Sequence, residues 1–132
     1  MIYVDSSVAL ASILDEASRP PESFWDAELF SSRLLEYEIW TVLNARGENQ
    51  ARSEAATALL GRVMLVELDR DVLERVLEPF PTLVRALDAI HLASADYLRS
   101  QGQVVEFASY DRRQLEAARR LELPQTPLLV DH

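Results

Sequence analysis

An α/β domain built on a central parallel sheet, with helices on both faces, is what this 132-residue sequence predicts. Two observations carry that expectation. Short apolar runs of strand length alternate with stretches of helical periodicity. The segments between successive strands are long enough for crossovers rather than hairpins. No internal repeat, low-complexity stretch or linker interrupts the pattern, so residues 1–132 read as one domain.

Each element has its own signal. Ile2-Tyr3-Val4 is a short apolar strand ending at Asp5, after which Ser6 and Ser7 open a helix carrying Val8, Leu10, Ala11 and Leu14. Pro20-Pro21 ends that unit, and Pro21 sits where the first helical position of a segment Glu22–Phe30 is expected. Phe30–Leu34 reads as extended, and Leu35, Ile39, Val42 and Leu43 give the next helix, to Arg46, with Gly47 at its C′ position. An Ala-rich helix is expected over 51–62, a strand over 63–68, and a helical turn or two over 71–77, stopped by Pro79 and Pro81. Residues 86–100 form the strongest helical pattern. A strand over 104–109 follows, then a helix opened by Asp111 and running to about Leu121, and an edge strand over 127–130.

Composition removes several classes of function. All 13 basic residues are Arg, so the Lys required by a P-loop or by a phosphate-response receiver domain is missing. The three glycines are too far apart for a dinucleotide-binding turn, and the absence of Cys excludes disulfides, thiolate nucleophiles and Cys-ligated zinc. No apolar run approaches the ~20 residues needed to span a bilayer. The opening Met-Ile-Tyr-Val-Asp lacks a basic n-region, so a cytoplasmic protein is expected. The formal net charge of −9 is spread evenly along the chain, which opposes nucleic-acid binding unless something else supplies positive charge. Bound divalent metal would do so.

In a parallel sheet, ligands bind beyond the carboxyl ends of the strands. Asp5 and Asp111 both fall at strand exits. Each alone could be a helix cap, and Gln114 stands at capping-box spacing from Asp111, but together they suggest a shared acidic site. Glu38 and Asp88 lie within otherwise apolar helical stretches, where a carboxylate is costly unless paired or bound to a cation. Glu36 is the solvated alternative to Glu38, and position alone hardly separates them. His91, three residues after Asp88, reads as a core residue or one that supports a ligand. Carboxylates without Cys and with two His favour hard cations, and acid clusters holding Mg²⁺ suit phosphoryl transfer. Arg85, Arg112 and Arg113 are candidates for holding a nucleic-acid backbone, each also readable as a solvated surface residue. A haloacid-dehalogenase-type phosphatase is disfavoured, because it needs Asp-x-Asp where this chain has Asp5-Ser6-Ser7, and a Lys.

These residues resemble PIN-domain endoribonucleases, most closely the VapC toxins of bacterial toxin–antitoxin pairs, over essentially the whole chain. Ile2-Tyr-Val-Asp5-Ser-Ser7 is similar to the family's strand followed by Asp-Thr/Ser-Ser. Ser32-Arg-Leu-Leu-Glu-Tyr-Glu38 matches its Ser-x-Leu-x-x-x-Glu, a register that selects Glu38 over Glu36. Leu87-Asp88-Ala-Ile-His91-Leu-Ala resembles its Leu-Asp-Ala-x-His-Leu-Ala helix, and Ser109-Tyr-Asp111 its Thr-x-Asp, with Ser keeping the hydroxyl. The resemblance implies a three-layer α/β/α PIN-like domain and an acidic quartet of Asp5, Glu38, Asp88 and Asp111 that is both catalytic and metal-binding. It also implies Ser7 and Ser109 as hydroxyl partners of metal water or phosphate, Mg²⁺ or Mn²⁺ as cofactor, an RNA substrate, a homodimer and a VapB-type antitoxin. A housekeeping RNA-processing PIN nuclease and a non-catalytic PIN-like binding module are the alternatives.

Overall fold

The structure, a computed structural model, describes residues 1–128. Four parallel strands form one sheet in the order β3-β2-β1-β4. They are β1 (Ile2–Val4), β2 (Leu29–Ser32), β3 (Val63–Val66) and β4 (Glu106–Ala108). β1 is central: Ile2 and Tyr3 pair with Leu29 and Phe30 on one side, while Ile2, Tyr3 and Val4 pair with Glu106, Phe107 and Ala108 on the other. β2 continues to β3 from Leu29↔Val63 to Ser32↔Val66. Six helices connect or follow the strands: α1 (Ser6–Ile13), α2 (Leu34–Ala45), α3 (Ser53–Leu60), α4 (Arg70–Leu73), α5 (Ala86–Ser100) and α6 (Arg112–Arg120).

The two-residue alternation of the strands splits the core into two layers. Val4 and Ala108 face one side, where they pack with Val8, Leu35, Ile39 and Leu43 of α1 and α2. Tyr3 and Phe107 face the other, where they meet Leu92, Ala95, Ala117 and Ala118 of α5 and α6. The result is the expected three-layer α/β/α arrangement. Phe107 stacks on Tyr3 at a ring-centroid distance of 5.4 Å, so the second layer is anchored on two aromatic rings from neighbouring strands.

Most elements lie where the sequence places them, with shorter ends. The helix of residues 86–100 is α5 in full. Gly47 and Gly102 end their helices at φ of +67° and +89°, the left-handed region that favours glycine. One expectation is corrected. The helix expected over Glu22–Phe30 is a 3₁₀ segment of Glu22–Asp26, and Leu29 and Phe30 belong to β2. Phe24, Trp25 and Leu29 do carry an apolar face, but β2 hydrogen-bonds on both sides, and ladder pairing overrides a weak helical pattern. Strands β3 and β4 are shorter than 63–68 and 104–109. Beyond α6 the chain meets β4 earlier than the expected edge strand: Thr126 N–H donates to the Phe107 carbonyl and Phe107 N–H to Pro124, with a single bridge at Gln125. Residues 129 and 130 of that expected strand lie outside the described residues.

Phe107→Ala should cost about 3–5 kcal/mol of stability, since it empties a fully buried site and removes the ring stacked on Tyr3. Urea denaturation of the variant against the wild-type chain checks this.

Candidate active site

A parallel sheet delivers all its carboxyl ends to one edge, and the predicted acids arrive there from separate elements. β1 runs directly into Asp5, and β4 into Ser109 and Asp111. β2 feeds α2, whose second turn carries Glu38, and Asp88 lies in the first turn of α5.

Asp5 occupies the N-cap position of α1, yet its side chain caps nothing. It is only 3% exposed. Its Oδ2 accepts the Ser7 hydroxyl at 2.9 Å and the Ser109 hydroxyl at 2.7 Å. Each hydroxyl has one proton, and both are given to Asp5. The serine oxygens in turn accept backbone amides, Tyr110 N–H on Ser7 and Asp111 N–H on Ser109. The carboxylate is thus fixed between the first turn of α1 and the loop that follows β4, while Oδ1 makes no hydrogen bond among the described residues.

Glu38 is held from the opposite layer. His91, completely buried, places Nε2 2.5 Å from Glu38 Oε1 and Nδ1 2.7 Å from the Tyr3 hydroxyl. Burial pushes the Tyr3 phenol well above its ordinary value, so the His91 ring meets a hydroxyl that keeps its proton. The buried ring thus bridges the Tyr3 hydroxyl to the Glu38 carboxylate. Glu36 turns elsewhere, to Arg33 at 3.6 Å, which separates it from the site as the motif register implied.

Asp88 and Asp111 open onto a shared cavity of about 470 Å³, whose wall also includes Arg85, Arg113 and Gln114. Asp111 caps α6, its Oδ1 accepting the N–H groups of Arg113 and Gln114. The capping box is only half formed. The Gln114 side chain does not return to Asp111; its Nε2 donates to the Asp88 carbonyl at 3.0 Å, tying the starts of α5 and α6 together. The Asp88 carboxyl accepts no hydrogen bond among the described residues. Burial raises its affinity for a proton, the charges of Asp5, Asp111 and Glu38 raise it further, and His91 offsets only part. Asp88 therefore senses the other three acids as like charges.

The structure brings Asp5, Asp88 and Asp111 to one edge with Ser7 and Ser109. Glu38 lies beside them but opens into a separate depression with Leu10, Leu34 and Tyr37. Arg85 and Arg113 face the cavity, and Arg112 is not part of its lining. Tyr3 and Gln114 are the contributors that sequence reasoning missed. Tyr3 was hidden in the apolar strand, and a polar tip on an otherwise inward-facing residue was its one signal. Gln114 was absorbed by the capping-box reading.

All-carboxylate donors suit a hard cation. As placed, no three Asp, Glu or His side chains among the described residues form a ready ligand cage. Mg²⁺ does not need one, since it keeps several waters and binds through one or two carboxylates. The free Oδ1 of Asp5 and the unpartnered Asp88 carboxyl fit that mode.

The chain is thus a parallel α/β/α domain with acids gathered along its carboxyl edge, and the PIN domain family matches residues 2–120. The chain belongs to the PIN-domain family. Within it, the chain is 33% identical over 129 residues to ribonuclease VapC46 of Mycobacterium tuberculosis, covering 91% of this chain and 92% of the relative. It is 29% identical to ribonuclease VapC35 of the same species, covering 93% of each. The crystal structure of M. tuberculosis VapC20, described as a sarcin–ricin loop cleaving toxin, matches in fold with a TM-score of 0.63 at 22% identity, covering 89% of this chain and 95% of that one.

The like-charge crowding sets a pH-dependent expectation. A carboxyl whose folded value lies above its ordinary 3.8 binds its proton more tightly in the native state, so stability falls as pH rises through that interval. In EDTA at pH 7, Asp88→Asn should therefore melt above the wild type, by no more than about 1 kcal/mol because the side chain is partly solvated. The gap should shrink as pH falls toward 4. Thermal melts across that range check it, and equal stability at pH 7 would contradict the repulsion.

Proposed function

We propose that this protein is a metal-dependent endoribonuclease of the VapC type, the toxin of a toxin–antitoxin pair, hydrolysing RNA phosphodiester bonds at the edge occupied by Asp5, Glu38, Asp88 and Asp111. The observation that carries this reading is the convergence at one sheet edge of buried Asp5, fixed by two serine hydroxyls, with Asp88 and Asp111 on a shared cavity, an acidic crowding that a bound cation would relieve. The family and the named VapC ribonucleases among its relatives favour RNA as substrate.

A bound Mg²⁺ or Mn²⁺ would supply Lewis-acid stabilisation of the charge that develops on the phosphodiester. The chain's own residues then have separate tasks. Asp5, fixed by Ser7 and Ser109, is the rigid donor, and Glu38 keeps one orientation through His91. Asp88 and Asp111 face the open cavity, where RNA would enter. Water attacks phosphorus and the P–O bond to the leaving ribose oxygen breaks, the water's proton passing to a carboxylate of the edge and a proton from solvent completing the departing ribose hydroxyl. No covalent enzyme intermediate forms. The chain has no Cys or Lys, and both serine hydroxyls are already committed to Asp5.

The partners follow the same reading: a VapB-type antitoxin whose basic segment is drawn to an acidic site, and a second copy of the chain in a homodimer. No helix among the described residues is long and apolar enough to cross a membrane. A cytoplasmic setting, with access to RNA, belongs to the proposal.

Cleavage of total RNA with Mg²⁺ or Mn²⁺ tests it. Asp5→Asn keeps an acceptor for the two serine hydroxyls, so the fold should survive while the rate falls by about 100-fold or more. EDTA should abolish the wild-type activity. Equal rates in the two proteins, or activity that survives EDTA, would overturn the proposal. Calorimetry showing no Mn²⁺ binding at all would favour a non-catalytic binding module.

A further inference from the structure

The cavity beside the acidic edge contains more than the acids account for. Arg85 and Arg113 line it next to Asp88 and Asp111, yet neither joins an ion pair among the described residues. Most other arginines of this acidic chain do. Arg33 pairs with Glu67 at 2.6 Å, Arg99 with Asp96 at 2.6 Å, and Arg119 with Glu116 at 2.7 Å. Two cations beside two carboxylates, and paired with neither, are available to an outside anion.

Two further features mark the same wall. Arg85 stands at the N-cap of the 15-residue helix α5 and its side chain makes no capping hydrogen bond, so the positive end of that helix meets the cavity. Gln114 is only 1% exposed, and its amide orientation is fixed because Nε2 donates to the Asp88 carbonyl. Its Oε1 is buried with no hydrogen-bond partner. A buried acceptor left without a partner is costly unless a donor fills it. Leu83, 96% exposed, and Val84 supply an apolar rim. Anion-binding groups, a hydroxyl acceptor and an apolar edge together match the chemistry of one ribonucleotide: a phosphate, a 2′-hydroxyl donor and a sugar–base surface.

We propose that this cavity seats the ribonucleotide adjoining the scissile bond, with Arg85 and Arg113 holding its phosphate and Gln114 Oε1 accepting its 2′-hydroxyl. The inference rests on the nuclease reading above and names the substrate contacts of that site. Arg85 and Arg113 set binding of the RNA chain irrespective of sequence. Gln114 makes the seat prefer RNA to DNA, because a deoxyribose leaves Oε1 unsatisfied.

The probe is a fluorescein-labelled pool of random 20-nucleotide RNA, and a DNA pool of the same design, titrated by anisotropy against the Asp5→Asn protein in Mn²⁺. Arg85→Ala and Arg113→Ala, both at exposed positions, should each weaken RNA binding several-fold at low salt and lower the slope of log affinity against log salt by about 0.7. In the otherwise wild-type enzyme they should raise KM more than they lower kcat. The unsubstituted Gln114 protein should bind RNA several-fold more tightly than DNA, and Gln114→Met should erase that ratio, with a thermal melt confirming that it is folded. Unchanged affinity and salt slope in the arginine variants would overturn the phosphate assignment. Equal binding of RNA and DNA with Gln114 in place, or an RNA preference that survives Gln114→Met, would overturn the hydroxyl assignment. Absence of any metal-dependent cleavage by the wild type is a separate result and would remove the nuclease reading itself.

Discussion

A carboxylate almost sealed from solvent needs hydrogen bonds or a counter-charge, and that requirement at Asp5 organises the carboxyl edge of this domain. It is met by two serine hydroxyls, one from the first turn of α1 and one from the exit of β4. Those hydroxyls also accept amides of the loop after β4, so the same two groups that hold Asp5 set where Asp111 begins α6. The position of the cavity between α5 and α6 follows from this knot. Loss of either hydroxyl would disturb the anchoring of the loop together with the charge.

Charge is divided along the same line. On the outer surface, many arginines pair with acids within one helix or between neighbouring elements, as in Arg119–Glu116 and Arg33–Glu67. At the carboxyl edge the acids are left to repel one another, and the adjacent arginines stay apart. Local conflict of this kind is expected where function, rather than stability, has set the arrangement. The net charge of −9, taken alone, argues against a polyanionic substrate. Its distribution argues differently, since part of the excess acid is gathered at the carboxyl edge beside Arg85 and Arg113.

Much of the architecture was legible in the sequence because periodicity and caps agree for most elements. α5 is bounded by an extended Arg85 and by Gly102, and its apolar positions recur at helical spacing, so its limits could be read directly. The segment around Leu29 could not. Its pattern suited a helix, and only pairing with β1 and β3, separated from it in sequence, makes it a strand. The acidic residues were legible through motif order, but their partners were not. The bond from Tyr3 to His91 joins residues 88 positions apart, and Gln114 reaches Asp88 across 26. Contacts of that kind are products of the sheet register and helix packing, which local spacing does not encode.

The central claim is that the carboxylates at this edge hold a divalent cation. Diffraction from crystals of the protein grown with saturating Mn²⁺, recorded at the manganese absorption edge, tests it most directly. The account predicts an anomalous peak about 2 Å from a carboxylate oxygen of Asp5, with at least one of Glu38, Asp88 and Asp111 bound directly or through water. No peak at that edge, or manganese bound only elsewhere on the surface, would contradict it.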